Sequence, residues 1–170
     1  MKWPNKSDRE AFEIAGFIDA YARLPQGQKF EVVSKSEAPD YIVKDQQTGQ
    51  EYGIELTSAY LNDRSVPDVH MKKESGVVDI PHDKAVIEQY SKRLIGAFIE
   101  KICKARKNYK TRRPLILAVY VNEYIAVYLG KEELEALTRR YEGLFDAVSP
   151  FTEVVFWNLS NGGVFRVRPS

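Results

Sequence analysis

Apolar and polar positions follow two different periods along the chain, and the first of these is helical. Between residues 8 and 24 apolar residues recur every three or four positions, as in an amphipathic helix: Ile14, Phe17, Ile18, Tyr21 and Leu24. Ser7 and Glu10 have the spacing of a capping box at its start, and Pro25 and Gly27 mark its end. The sequence therefore predicts a first helix over 8–24.

Short runs rich in β-branched and aromatic residues follow, and they predict three strands. These runs are 29–34, 41–45 and 51–57. The polar segment 46–49, which ends in Gly49, predicts a hairpin between the second and third strands. Residues 58–83 form a long polar stretch without periodicity, which is expected to be either a functional lid or locally disordered.

Helical and strand-like segments alternate in the second half of the chain. A helix over 84–110 is expected to bury one stripe: Ile87, Ser91, Leu94, Phe98, Ile102, Ala105 and Tyr109. The later elements are a strand at 115–121 (which 125–129 extend or pair with), a helix at 131–145, and strands at 153–159 and 164–167. Helices between the third, fourth and fifth strands require crossovers. We therefore predict an α/β fold of order αβββαβαββ, with a mixed sheet and helices on both faces.

Length and composition narrow the class of protein. With 170 residues, 44% of them apolar, the chain is expected to form a single domain, 1–170. It has no run of about 18 apolar residues and no apolar stretch at its N-terminus, so we expect a cytoplasmic protein without a membrane partner. The lone Cys103 cannot form an internal disulfide and is expected to be a buried apolar residue.

Positive charge is concentrated in one segment although the net charge is only +1. Residues 84–113 contain ten Lys or Arg and two acids, Glu88 and Glu100. A basic element of this kind is typical of a surface that contacts phosphate groups, although a solvated helix face is the commoner explanation of such a segment.

Two acids are expected to lie side by side in the predicted hairpin. If Asp45 pairs with Gln50 across the four-residue loop, the same register places Asp40 opposite Glu55, with the side chains about 5 Å apart on one face. Thr57 falls on that face too. Paired carboxylates repel unless a divalent cation lies between them, and Mg²⁺ in such a place assists phosphodiester hydrolysis. A register shifted by one residue would instead turn Glu55 to solvent.

The strings PDYIV (39–43) and YGIELT (52–57) together resemble the signature of the PD-(D/E)xK, or restriction-endonuclease-like, nuclease superfamily. The order of elements over residues 8–121 matches as well. The resemblance implies that Asp40 and Glu55 bind Mg²⁺ or Mn²⁺. It also implies a nuclease that hydrolyses phosphodiester bonds of nucleic acid, with DNA favoured over RNA.

This sequence departs from the superfamily pattern at Thr57, which stands where a lysine is usual. A threonine hydroxyl cannot supply a cation to the attacked phosphate. Lys101 is the preferred replacement, because strand and helix rises place it nearly level with Glu55. Lys104 and Lys92 are the second choices, and an ordinary solvated lysine at 101 is the alternative.

Glu10 is the candidate for a further acid, since many members of the superfamily carry one on the first helix. Its position on the apolar stripe supports this role, the capping box with Ser7 is the alternative, and Glu13 is the second choice. His70 and His82 lack the spacing of a zinc site. Contact of His82 with phosphate is a weaker hypothesis.

Two other interpretations compete with a nuclease. One is a catalytically inactive protein of the same fold that binds nucleic acid or a protein partner, which Thr57 favours. The other is a structural subunit, a homodimer in the simplest case, whose apolar final strands (151–159 and 164–167) form an oligomer edge.

Overall fold

The computed structural model describes residues 6–59, 84–109, 112–121, 131–141, 143, 148–159 and 162–168. In this part of the chain the protein is mixed α/β, and the predicted order αβββαβαββ is confirmed. The elements are α1 (Lys6–Tyr21), β1 (Phe30–Lys35), β2 (Tyr41–Asp45), β3 (Glu51–Ser58), α2 (Lys84–Asn108), β4 (Leu115–Val121), α3 (Lys131–Arg140), β5 (Glu153–Asn158) and β6 (Gly163–Arg168).

The six strands form one mixed sheet, as predicted. Its spatial order is the order of the chain, β1 to β6. β3, β4 and β5 pair in parallel because α2 and α3 lie on the crossovers between them, while the remaining pairs are antiparallel. β5 is therefore paired on both sides, so the prediction that it belongs to an oligomer edge is wrong. The edges of the sheet are β1 and β6.

Apolar side chains of β4 alternate between two cores, one on each face of the sheet. On the first face α2 packs on the odd-numbered positions of β4 through Leu94, Phe98, Ile102 and Ala105. On the second face α1 packs on the even-numbered positions through Ile14, Phe17 and Tyr21. Helices on both faces are thus confirmed, and strands buried on both sides explain the unbroken apolar run of β4.

The ends of α1 differ from the prediction at both sides. The helix begins at Lys6, so Ser7 lies within it and does not occupy the N-cap position. It ends at Tyr21, after which the amides of Arg23 and Leu24 bond three residues back in a tighter turn. Pro25 accounts for this early end, because proline disfavours the helical conformation of the residue before it.

Three smaller expectations also change. Ser58 belongs to β3 and Ala59 is buried, so the long stretch starts later than predicted, and residues 60–83 lie outside the described residues, as do 125–129. Cys103 is exposed, not buried. Among the helices that the structure describes, none combines the length and hydropathy of a membrane span.

Candidate active site

The β2–β3 hairpin has the predicted register. Tyr41 pairs with Ile54 and Lys44 with Glu51. These pairs have the same register as the predicted pair of Asp45 with Gln50. Asp45 stabilises the connecting turn by accepting hydrogen bonds from the amide of Gln47 and the hydroxyl of Thr48. Continuing the register by one pair from Tyr41 and Ile54 brings Asp40 opposite Glu55.

Gly53 allows the chain just before Asp40 to pack closely on β3, because glycine has no side chain. A Cβ atom at position 53 would lie 2.5 Å from Cγ of the buried Pro39 and 2.5 Å from Leu115 Cδ2. Glycine therefore lets the Pro39 ring rest on β3. This packing explains why proline precedes Asp40 while glycine lies two residues before Glu55.

Backbone hydrogen bonds join the two acids. The amide of Asp40 donates to Glu55 Oε2 at 3.3 Å, and the amide of Leu56 donates to Asp40 Oδ2 at 2.9 Å. Asp40 precedes β2, and its carboxylate accepts the amide hydrogen bond of Leu56 that a longer β2 would accept through a backbone carbonyl. Each carboxylate therefore accepts a hydrogen bond from the backbone at or next to the other acid.

The Asp40 carboxyl is in an unfavourable place for an ionised group. Burial, followed by the negative charge of Glu55, raises the pKa of Asp40 from its ordinary value of 3.8 to about 6. The amide of Leu56 and the ammonium of Lys101 act in the opposite direction but do not offset these effects. A carboxyl whose pKa is raised by burial and by a neighbouring acid is a candidate functional group.

Glu55 is only 2% exposed and forms an ion pair with Lys101 of α2 through Oε1. The prediction that Lys101 lies level with Glu55, which was based on the rise per residue of helix and strand, is therefore confirmed. The other two lysines of the prediction bind elsewhere: Lys104 pairs with Glu100, and Lys92 pairs with Glu88.

Tyr109 is a site residue that the sequence analysis did not identify. It follows α2, its ring packs edge-on against Phe151, and burial together with a hydrogen bond to Glu55 raises its pKa above the usual range. The spacing of Tyr109 in the sequence places it in line with the apolar stripe of α2, in agreement with its packing against Phe151. A partly buried phenol also needs a partner for its hydroxyl, and that need was the available signal.

Glu10 belongs to α1, which packs on the opposite face of the sheet from α2 and Lys101. Its carboxylate forms an ion pair with Lys35, and its charge contributes to the raised pKa of Asp40. Because Ser7 lies within α1, the predicted capping box does not form in the expected position.

A cavity of about 200 Å³ opens on this side of the site. Asp40 borders this cavity and also contacts Glu55, so it connects the two parts of the site. The lining residues are Glu10, Glu13, Lys35, Asp40, Tyr41, Leu56, Thr57, Ser58 and Tyr120.

Thr57 lies two residues beyond Glu55 on the same face of β3, as predicted. Glu55 pairs with Leu117 and Thr57 with Val119, and both partners belong to the core beneath α2. No cation can come from Thr57. An ammonium reaches Glu55 from Lys101 of α2 instead. His70, His82, Asp68 and Asp83 lie outside the described residues.

The oxygen donors at this site suit a hard cation. The carboxylates of Asp40 and Glu55 lie side by side and provide oxygen ligands. The described residues contain no group of three or more His, Cys, Asp or Glu that could hold a metal, but Mg²⁺ usually binds one or two carboxylates and completes its shell with water and phosphate. The donor set therefore fits Mg²⁺ or Mn²⁺.

Comparison with known proteins gives no match to a family model, to a curated protein or to a solved structure. The function is therefore inferred from the chemistry of the Asp40–Glu55 site.

Proposed function

We propose that this protein is a metal-dependent phosphodiesterase that cleaves nucleic acid, with Asp40 and Glu55 as ligands of Mg²⁺ or Mn²⁺. The observation that carries the proposal is the contact between these two acids, one of them buried, together with the raised pKa of Asp40. Two carboxylates held together in the absence of a metal repel each other. A divalent cation would relieve that repulsion.

The proposed roles follow from position. Asp40 and Glu55 would hold the metal, which when bound supplies Lewis-acid stabilisation of a phosphate and activates water for attack. Lys101, whose ammonium reaches Glu55 from α2, would stabilise negative charge on the phosphate in place of the lysine that Thr57 replaces. Glu10 would add negative charge close to Asp40.

The proposed fold type is restriction-endonuclease-like, of the PD-(D/E)xK kind. The order αβββαβ over residues 6–121, the PDYIV and YGIELT strings, and the origin of the two acids at the start of β2 and within β3 support it. Glu-hydrophobic-Thr with a lysine on α2 is then a variant of the usual Glu-x-Lys arrangement.

The decisive experiment measures cleavage of labelled single-stranded and double-stranded DNA and RNA in Mg²⁺, Mn²⁺ or EDTA. We expect metal-dependent cleavage that falls roughly a hundred-fold or more in Asp40→Ala and in Glu55→Ala, because a catalytic metal contributes several kcal/mol to transition-state stabilisation. Asp19→Ala, which removes an exposed acid of α1, is the matched control and should retain activity. Circular dichroism verifies that each variant is folded.

The outcomes separate the candidate functions. Cleavage that survives both Asp40→Ala and Glu55→Ala would exclude this site. If the wild type does not cleave but binds nucleic acid in a salt-dependent way, the inactive-binder alternative that Thr57 favours is supported instead. A stable oligomer that neither cleaves nor binds would support the structural-subunit interpretation.

A further inference from the structure

The flank of α2 that carries Lys101 is basic over its length. At about 100° per residue, Lys104, Arg93 and Lys107 lie within roughly a third of a turn of Lys101, all on the side away from the apolar stripe. All three are exposed. Glu100 shares this flank, and its ion pair with Lys104 is exposed and therefore weak and readily exchanged.

The opposite flank of α2 faces other protein elements. Glu88 contacts Arg140 of α3, and Arg106 donates to the carbonyl of Ser149. The two flanks lie on either side of the buried stripe. Lys101 and its basic neighbours are therefore directed toward β3 and the half of the sheet that contains β1 and β2.

The sheet on that side forms a shelf. Phe30, Tyr41 and Val43 of β1 and β2 are buried beneath α1, whereas no described residue of these two strands belongs to the core beneath α2. Ile42 and Lys44, which alternate with Val43 and so face the α2 side, are partly exposed. Among the described residues, α2 thus stands beside an open sheet surface, with Glu55 in the corner between them.

We infer that this α2 groove, with Arg93, Lys101, Lys104 and Lys107 as its wall and the β1–β2 shelf as its floor, holds the sugar-phosphate backbone of a nucleic-acid strand. The inference rests on the proposed function and deepens it by assigning the binding surface. Arg93 and Lys107 are fourteen positions apart in the sequence, which corresponds to about 21 Å along the helix axis. That length corresponds to about six base steps of one strand at about 3.4 Å each. Lys101 lies within this length, so a strand held along the wall passes the Asp40–Glu55 pair.

The test compares two variants with the same change in charge. The groove variant is Arg93→Gln/Lys104→Gln/Lys107→Gln, and the control is Lys92→Gln/Arg139→Gln/Arg140→Gln, whose residues are exposed on the other flank of α2 and on α3. Binding of labelled oligonucleotides is measured by fluorescence anisotropy in EDTA, which prevents cleavage, between 50 and 200 mM salt. Single-stranded and duplex DNA and RNA are compared.

Each phosphate contact contributes about 0.9 to the slope of log affinity against log salt concentration for duplex DNA, and about 0.7 for single strands. We expect the groove variant to reduce this slope by about 2 to 3 and to weaken binding at least about ten-fold at the lower salt concentration, while the control retains the wild-type slope. Equal slopes for the groove variant and the control would overturn the inference.

A separate measurement distinguishes failure of this inference from failure of the proposed function. Wild-type hydrolysis of bis(4-nitrophenyl) phosphate in Mn²⁺, a substrate too small to extend along the groove, reports the chemistry alone. Hydrolysis by the wild type, together with equal salt slopes of nucleic-acid binding for the groove variant and the control, would retain the phosphodiesterase and overturn the groove. No hydrolysis, with a slope lowered only in the groove variant, would retain the groove as a binding surface and overturn the phosphodiesterase.

Discussion

Two buried glutamates of the same sheet, Glu55 and Glu153, have very different surroundings. Glu153 is 6% exposed, and each of its oxygens has a partner: Arg166 binds Oε1, and the hydroxyl of Tyr21 donates to Oε2 at 2.7 Å. Arg166 is held in turn by the carbonyl of Pro25 and by the face of the Tyr21 ring. This network joins α1, β5 and β6, and its glutamate has an arginine as its ion-pair partner.

Glu55 is as deeply buried but shares its place with a second acid. Asp40, Lys101 and Tyr109 all interact with it, and the negative charge of Glu55 is one reason why the pKa of Asp40 is raised. Burial of an acid is common to both places and therefore does not identify a functional site. The distinguishing feature is a second carboxylate that is held close by the backbone and destabilised in its ionised form.

The largest effects are expected from removing the cation at each glutamate. Both Arg166→Met and Lys101→Met should lower the free energy of unfolding by about 3 kcal/mol in EDTA, because each leaves a buried carboxylate without its ion-pair partner. Mg²⁺ should restore stability to Lys101→Met, since the metal can neutralise the Asp40–Glu55 pair, but not to Arg166→Met. Urea unfolding with and without Mg²⁺ measures both.

Lys104→Met is the control for this comparison, because its ion pair with Glu100 is exposed and weak. Equal recovery of Lys101→Met and Arg166→Met in Mg²⁺ would show that the two sites do not differ in metal binding.

A smaller effect of opposite sign is expected at Asp40. Asp40→Asn should raise the free energy of unfolding by about 1 to 2 kcal/mol at pH 7 in EDTA, while abolishing metal-dependent cleavage. The asparagine side chain can still accept the hydrogen bond from the amide of Leu56 but carries no charge beside Glu55. A shift of the pKa from 3.8 to about 6 corresponds to at most about 3 kcal/mol, which screening by solvent reduces.

The pH dependence of this gain follows from the direction of the shift. The folded wild type binds the Asp40 proton more tightly than the unfolded chain does, so the stability that this proton binding gives the wild type is fully present below about pH 4 and is lost as the pH rises to about 6. The gain from Asp40→Asn appears over the same range as the pH rises. The wild type and Asp40→Asn should therefore be similarly stable at pH 4 and should differ above pH 6. A variant that is less stable than the wild type at pH 7 would contradict the assigned repulsion.

The smallest effect is expected at Tyr109. Tyr109→Phe retains the ring that packs on Phe151 but removes the hydroxyl that binds Glu55. Loss of one hydrogen bond should lower the free energy of unfolding by about 1 kcal/mol, and loss of a group that orients a metal ligand should weaken Mg²⁺ binding by about ten-fold. Titration of the thermal shift with Mg²⁺ measures the affinity.

Tyr141→Phe, which removes a hydroxyl at the end of α3, is the control. A change in stability with unaltered Mg²⁺ affinity would make Tyr109 a packing residue only.

Much of the fold could be predicted because its signals are local. Apolar periodicity located α2 and its buried stripe, and the four-residue loop after Asp45 determined the register that brings Asp40 beside Glu55. Helix ends were less predictable. α1 begins at Lys6, one residue before the Ser7 cap signal, and it ends at Tyr21, three residues before the predicted end.

The site was only partly predictable for the same reason. The proximity of Asp40 and Glu55 follows from the pairing of neighbouring strands, and the position of Lys101 along α2 relative to Glu55 follows from the rise per residue. Both could therefore be predicted from the sequence. The ion pair of Glu10 with Lys35, the hydrogen bond of Tyr109 to Glu55 and the Glu153–Arg166 network each join residues far apart in sequence. Such contacts have no periodic signal.

The sequence by itself determined which residues share a face and that β2 and β3 pair, because side-chain direction alternates along a strand and turns with constant pitch along a helix, and because a short loop joins these two strands. Only the tertiary structure decided which cation pairs with each buried glutamate and which of the two has a second acid beside it. Charge balance at Glu55 and at Glu153 depends on where α2 and β6 lie against the sheet. That placement is set by packing of both cores and not by any local pattern.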